Sequence, residues 1–397
     1  MRVLISGAGI AGLTVAYWLR RYGFTPTIVE RAPSLLTGGY KLDVRGTALQ
    51  VLRRMGIHDA VLAASTDMQG AMLVDKDGNV VNEMSGDAFG HRVGEDLEIV
   101  RGTLCQILMD HISDAEFVFG DSIRAISQSS DRVQVEFTKG NPREFDLVIG
   151  ADGLHSNVRG IVFGDESRFI RDLGLYLCVY AVPNYLNLDR MEMQYSELGR
   201  VAAIWSSRGD ANIKACFGFV APVHIDLRDR AQQQQVLANV YQGIGWEVPK
   251  LLEMMPRAAD YYFDIAAQIR VDRWSQGRVV LVGDAGYCAS PMSGQGTSLA
   301  LIGAYVLAGE LAAASGAYQT AFHQYEKEMR PFVMLNQALG IKSANLMRSK
   351  EKKTVSTWLL EQIMRVAPGR MIEFFINRST RRIHQAANAI TLKDYSA

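Results

Sequence analysis

The sequence has no excess of charge of either sign, with 42 Lys and Arg residues against 42 Asp and Glu among 397 residues. A nucleic-acid binder needs a basic footprint, so small-molecule chemistry becomes the expectation. Cysteine is scarce as well. Cys105, Cys178, Cys216 and Cys288 form no C-x-x-C pair and stand at no zinc-ligand spacing with histidine, which excludes a disulfide framework and a metal site from the expectation and fits a reducing, cytoplasmic setting. Long hydrophobic runs are also missing. Val3 to Leu19 is broken by Gly7, Gly9 and Gly12, and Leu299 to Ala314 by Glu310, so a soluble chain is expected. There is no H-E-x-x-H stretch and no recognisable Ser/His/Asp set, and the difficult chemistry therefore falls to a cofactor.

What is present is the composition of a folding protein, 48% hydrophobic and 21% charged. A single core rarely grows past about 250 to 300 residues, so two domains, or one with a large insertion, are expected.

The first informative stretch is Arg2 to Ser6, a short apolar run that enters Gly7-Ala8-Gly9-Ile10-Ala11-Gly12 and continues as a helical pattern through Tyr22. In this strand-turn-helix unit Gly7 permits a tight turn, Gly9 lets the backbone approach a pyrophosphate, and Gly12 allows close helix packing. The helix start supplies N–H donors. A second strand, Thr25 to Val29, ends in Glu30 and Arg31, and the acid is spaced to accept hydrogen bonds from an adenosine ribose. A dinucleotide site follows, although this motif alone does not say which dinucleotide. An NAD-dependent dehydrogenase stays open at this point.

Two later stretches have the same strand-then-loop form. Phe145 to Ile149 leads into Gly150-Ala151-Asp152-Gly153-Leu154-His155-Ser156-Asn157-Val158-Arg159. Val279 to Val282 leads into Gly283-Asp284-Ala285, then Pro291 and Gly294-Gln295-Gly296, before a long helix starting near Thr297. A carboxylate at a strand end, a loop-fixing proline and two glycines baring backbone N–H groups suit an anionic, hydrogen-bonding ring.

In this order the three motifs resemble the FAD-dependent aromatic hydroxylases of the p-hydroxybenzoate hydroxylase type. Several stretches, among them Ala16 to Phe24, Leu42 to Gly46, Val182 to Leu186 and Gly283 to Ala304, are similar to the tetracycline destructases. The resemblance implies an α/β Rossmann-like FAD-binding domain with an inserted antiparallel sheet, noncovalent FAD, and NADPH or NADH as a transient electron donor. It also implies oxygen transfer to a tetracycline-like or other polycyclic phenolic or enolic compound through a flavin C4a-hydroperoxide. Residue by residue, it implies Glu30 on the adenosine ribose, Asp284 on the ribityl or pyrophosphate segment, and Gly294 to Gly296 near the flavin pyrimidine edge. Arg101 and Arg45 would contact the cofactor, and Asp152 would support its own loop. Arg159 reads as structural. Two positions depart from the family pattern: Gly286-Tyr287 where many hydroxylases have His, and Ala289 in place of a proline.

Residues 1–170 and 267–349 are expected to form a discontinuous FAD-binding domain, residues 171–266 a substrate-binding sheet, and residues 350–397 a C-terminal helical segment able to brace the substrate opening. Within the sheet, Tyr180, Met193, Trp205, Phe217 and Phe219 are the candidate pocket residues, with core packing as the alternative for most of them. Helices are expected over Tyr318 to Ser349, Val355 to Ala367 and Arg370 to Ala389. The absence of a second complete G-x-G-x-x-G argues against a separate nicotinamide domain, and the chain is expected to be a monomer. A flavoprotein that binds an aromatic ligand without transforming it is the alternative function.

Overall fold

The computed structural model describes residues 1–36, 38–197, 199–221, 225–349 and 369–395. The helix expected over Val355 to Ala367 lies outside the described residues. The fold is mixed α/β and contains both expected sheet types.

The first sheet has six strands in the order Ser275–Gln276, Val279–Leu281, Leu147–Gly150, Arg2–Ser6, Thr25–Glu30 and Glu116–Phe119. All pairings are parallel except that of the short edge strand Ser275–Gln276. Val3, Leu4 and Ile5 are fully buried, as the continuous apolar run of a strand covered on both faces requires. The register matters for everything that follows. Ser6 lies beside both Val29 and Gly150, and Gly150 lies beside Leu281. Four strands therefore finish at one level, and the three glycine-bearing motifs begin immediately beyond three of those ends. Loops at the carboxyl ends of parallel strands form the crevice in which open α/β sheets bind ligands.

The helices Ile10–Arg21 and Gly296–Ala313 pack against each other over this sheet. Gly296–Ala313 is long and apolar enough to cross a membrane, but 83% of it is buried inside the protein, as in a core helix. The antiparallel ribbon of Lys41–Val44 and Leu97–Val100 lies alongside. A small antiparallel sheet is made by Ile123–Gln128, Val133–Phe137 and Arg143–Phe145.

The second large sheet has seven strands in the order Tyr262–Ile269, Ile170–Pro183, Asn212–Phe219, Arg200–Ser206, Met191–Glu197, Gly70–Val74 and Val80–Ser85. The hairpin Gly70–Ser85 thus extends the sheet beyond the stretch 171–266. It joins through a parallel pairing of Gly70–Val74 with Met191–Glu197. One face is covered by the helices Arg230–Val240 and Val248–Met254, whose Leu237, Val248 and Leu251 pack on Tyr176, Tyr180, Phe217 and Phe219.

The helix Tyr318–Ser349 agrees with the expected bounds, and the last helix runs over Gly369–Ala387. Beyond it the chain lies along the first domain. The Tyr395 hydroxyl donates to Glu310 at 2.7 Å, and its ring occupies the space where a Cβ on Gly309 would fall.

Candidate functional site

The glycines of the first motif do separate jobs. Gly7 has φ +103°, a conformation that disfavours side chains, and a Cβ there would stand 2.6 Å from the Ala151 carbonyl oxygen of the second motif. A Cβ on Gly12 would lie 1.9 Å from the Gly7 carbonyl oxygen, so this glycine lets the helix sit against its own entry turn. Gly9 differs. A Cβ there would meet only the Arg101 guanidinium, at 3.6 Å, across open space.

That space is a cleft with about 1200 Å³ of unfilled volume, open solvent at its mouth included. From the first motif and the second strand's end, Gly7, Gly9, Ile10, Ala11, Glu30 and Arg31 line it. Asp152 and His155 come from the second motif, and Asp284 and Gly296 from the third. Arg101 faces Gly9 from the start of the helix Arg101–Asp110. Three loops far apart in the sequence thus enclose one cleft.

The charges in the cleft have distinct settings. Each Glu30 carboxylate oxygen accepts one backbone N–H, from Ala8 and from Ala32, both at 2.9 Å, which fixes the acid at the cleft wall with lone pairs to spare. The Arg101 guanidinium makes no hydrogen bond or ion pair among the described residues. An unpaired cation beside a glycine turn is a site for an anion. Burial pushes the Asp284 carboxyl above the usual carboxylate range, with Arg101 pulling against the shift. Burial also pushes the Tyr40 hydroxyl up to about 12, with the Asp284 charge adding to the effect.

Asp152 is committed to its own loop. It accepts from Ser156 Oγ at 2.5 Å, Val158 N–H at 3.0 Å and Ser6 Oγ at 3.2 Å, which ties the second motif to the end of the first strand. Arg159 is fully buried and donates to the carbonyls of Ala285 and Leu154 and to Glu166. The departure at Tyr287 also has a structural account. Its hydroxyl accepts from Tyr325 at 2.9 Å, and a Cβ on Gly303 would fall 2.0 Å from it. Gly303 therefore makes room for the larger ring.

Other candidates fall elsewhere. Arg45 is 3% exposed and absent from the cleft wall. Its Nη atoms bond the carbonyls of His91 and Gly90, and it pairs with Asp43 at 2.6 Å. Arg45 thus acts as a buried structural tie, with its Nε left without a partner among the described residues. Pro291, Gly294 and Gln295 lie just behind the cleft-lining Gly296. A Cβ on Gly294 or Gly296 would meet nothing within 4 Å, and the fully buried Gln295 amide has neither polar atom bonded. Orphaned buried amide atoms and bare backbone at a helix start are what a hydrogen-bonding ring would satisfy.

The aromatic pocket candidates need a larger correction. Tyr180, Phe217 and Phe219 are core residues on the helix-covered face, with the Tyr180 hydroxyl donating to the Leu251 carbonyl and its ring stacked on Phe217. Met193 packs against the same cluster. Trp205 alone is on the opposite face, beneath the Lys41 ammonium.

Sequence reasoning did not single out Tyr40, Leu42, Asp121, Ser122, His155 or Asn157 as cleft residues, yet all line it. His155 is the most informative. It bridges Asp264 at 3.1 Å and Glu166 at 2.8 Å, and the Asp264 hydrogen bond first, then Glu166, raises its pKa to about 9 against the effect of burial.

These features define a dinucleotide-binding α/β protein whose cleft has the backbone donors, the Arg101 guanidinium and the open glycine backbone that FAD requires. Residues 1–338 match the FAD binding domain family, and the chain belongs to it. It is 41% identical over 343 residues to a flavin-dependent monooxygenase of Legionella longbeachae serogroup 1 (strain NSW150), covering 86% of this chain and 88% of that protein. Among solved structures it is similar to tetracycline destructase Tet(51), with TM-score 0.87 and 38% identity, covering 100% of this chain and 99% of that one. Klebsiella pneumoniae HpxO complexed with FAD and uric acid, at 21% identity and TM-score 0.74 over 96% of both chains, shares the fold. The resemblance to flavoprotein monooxygenases read from the three motifs is thereby borne out.

Proposed function

We propose that this chain is a single-component FAD monooxygenase that uses NAD(P)H and O2 to hydroxylate a tetracycline-like or other polycyclic phenolic or enolic compound. The observation that carries this reading is the joining of all three motif loops around one cleft, with Arg101, unpaired among the described residues, opposite Gly9. The similarity to Tet(51) supports the polycyclic substrate class. Bound FAD would supply the redox and oxygen-transfer chemistry by the route named above.

The protein's share is binding, orientation and exclusion of water. Glu30 accepts from the adenosine ribose, Arg101 neutralises pyrophosphate charge, and Asp284 accepts from the ribityl or pyrophosphate segment. The Gly294 to Gly296 backbone and the Gln295 amide hold the pyrimidine edge. We assign residues 1–170 and 267–349 to FAD binding, the stretch 171–266 with its 70–85 hairpin to the substrate side, and residues 350–397 to bracing the substrate opening.

The test is a visible spectrum of the purified protein followed by mass spectrometry of tetracyclines, anthraquinones and simple phenols incubated with NADPH under labelled O2. A flavin spectrum and a product carrying one labelled oxygen are expected. A flavin spectrum with tight ligand binding and no mass change across the panel would favour the non-catalytic flavoprotein instead.

A further inference from the structure

The loop of the third motif passes through a strained residue. Ser290, buried between Ala289 and Pro291, has φ +76° and ψ 146°, a conformation open to glycine but kept by a serine only where its surroundings enforce it. Two glutamine amides engage the carbonyls just ahead of it. Gln337, in the helix Tyr318–Ser349, donates through Nε2 to the carbonyls of Cys288 at 3.3 Å and Ile269 at 2.8 Å. Gln268, in the edge strand Tyr262–Ile269 of the seven-stranded sheet, donates through Nε2 to the carbonyls of Ala289 at 3.2 Å and Gln337 at 2.7 Å. The long helix lies directly against the loop, since a Cβ on Gly340 would fall 2.3 Å from the same Ala289 oxygen.

Beyond Ser290 the bonds run on toward the cofactor cleft. The Ser290 carbonyl accepts from Ser293 Oγ at 2.8 Å and from the Ser293 N–H at 3.0 Å, and Ser293 Oγ accepts from the Gln295 N–H at 3.2 Å. Gly296, the next residue, lines the cleft. One path of hydrogen bonds thus leads from a sheet edge and a helix to the residues assigned to the pyrimidine edge. Gln268 and Gln337 are both buried. Burying an amide is costly unless its bonds are made, and packing alone would be served by an apolar side chain of the same size. Each amide spends one N–H on a carbonyl ahead of the strained residue and the other on tying strand to helix. What they supply is position.

We propose that Gln268 and Gln337 are positioning residues for FAD: together they hold Ser290 at positive φ and so fix the Gly294 to Gly296 backbone and the Gln295 amide at the flavin pyrimidine edge. This rests on the assignment of those residues to that edge. Reduction places negative charge on the pyrimidine side of the ring, and donors fixed in advance favour that charge. A loop released to a relaxed φ aims its donors elsewhere. The bound flavin is then harder to reduce.

The experiment is a spectroelectrochemical titration of the FAD-loaded protein carrying Gln337→Met, which keeps the volume and removes both donors, and of the double variant Gln337→Met with Ser290→Gly. The single variant should lower the midpoint potential by about 30 mV, a roughly tenfold loss of preference for the reduced cofactor in a two-electron couple. Glycine adopts the φ of Ser290 without strain and needs no amide to hold it there. The double variant should therefore return to within about twofold of the wild-type preference. A structural tie alone would lower the thermal midpoint of both variants and move neither potential. That result, or a lowered potential that glycine does not restore, would overturn the proposal. Where Gln337→Met does not fold, Gln268→Met, which frees the Ala289 carbonyl, carries the same comparison with Ser290→Gly. Lowered and restored potentials without oxygen incorporation into any compound of the panel would leave both glutamines in this role and remove the monooxygenase reading instead.

Discussion

Arg159, in the second motif, donates through Nη1 to the carbonyl oxygen of Ala285, in the third, at 2.9 Å and across 126 positions of sequence. Its other Nη atom holds the Leu154 carbonyl and Glu166, each at 2.7 Å. One buried guanidinium therefore fixes the separation of two loops that wall the cleft. Replacing it strands a buried carbonyl and removes one of the two partners of a half-exposed carboxylate, which His155 also holds. Arg159→Met is expected to lower the unfolding free energy by about 3 kcal/mol, near the bottom of the range for breaking a buried pair because Glu166 can reach water. Denaturant titration of flavin-free protein checks this. A loss below about 1 kcal/mol would mean that packing alone sets the spacing of the loops.

Gly9 and Gly12 belong to the same motif and should fail differently. Gly9 has φ −84°, which any residue adopts, and its missing side chain faces the cleft. Gly9→Ala should leave flavin-free stability within about 0.5 kcal/mol of wild type while FAD retention falls. Gly12→Ala drives a methyl group into the Gly7 carbonyl and should impair folding whether or not FAD is present. Thermal melts and flavin stoichiometry on both variants separate the two roles. Full FAD retention in Gly9→Ala would remove the pyrophosphate from that turn.

The difference between those glycines marks what was legible in the sequence. Strand, turn, helix and the acid at Glu30 lie within one short stretch, so their chemistry could be read from spacing. The later motifs were legible because each follows an apolar run, and the parallel register carries them to one edge. Arg45 was not legible, since the carbonyls of Gly90 and His91 that engage it are more than forty positions away. Tyr180, Phe217 and Phe219 alternate as strand residues should, but alternation defines two faces without saying which one the helices of residues 230–254 cover. His155 gave no local signal because Asp264, its partner, arrives from another sheet. The hairpin at 70–85 went unassigned for a similar reason, its place depending on pairing with a strand more than a hundred residues later.

His155 gives the protein a pH dependence of stability. Its folded pKa of about 9 lies above the ordinary 6.5. A raised value means that the folded state binds the proton more tightly than the unfolded state does. The contribution is therefore complete below about pH 6.5 and is lost as pH rises through about 9. Wild type should lose stability against His155→Gln across that window, modestly, because the imidazole is partly exposed to solvent and to salt. Paired denaturation curves at pH 6, 8 and 10 test the sign, and a stability difference that grows with pH would contradict it.

Arg101 and Arg45 offer the sharpest comparison, because both were expected at the cofactor and the structure separates them. The Arg101 guanidinium has no hydrogen-bond or ion-pair partner among the described residues, so Arg101→Gln should leave the flavin-free protein as stable as wild type and weaken FAD binding by at least about tenfold, the scale of one charge-assisted contact. The same variant should flatten the salt dependence of FAD affinity, since the screened charge is gone. Arg45 is the reverse case: with Asp43 and two carbonyls engaged and almost no exposure, Arg45→Gln leaves a half-buried carboxylate without its close partner. It should cost about 2–3 kcal/mol in the flavin-free protein. Cofactor affinity, measured in conditions where both variants are folded, should then fall for Arg101→Gln alone. A larger affinity loss in Arg45→Gln than in Arg101→Gln would return Arg45 to the cofactor and leave the buried tie as a secondary role.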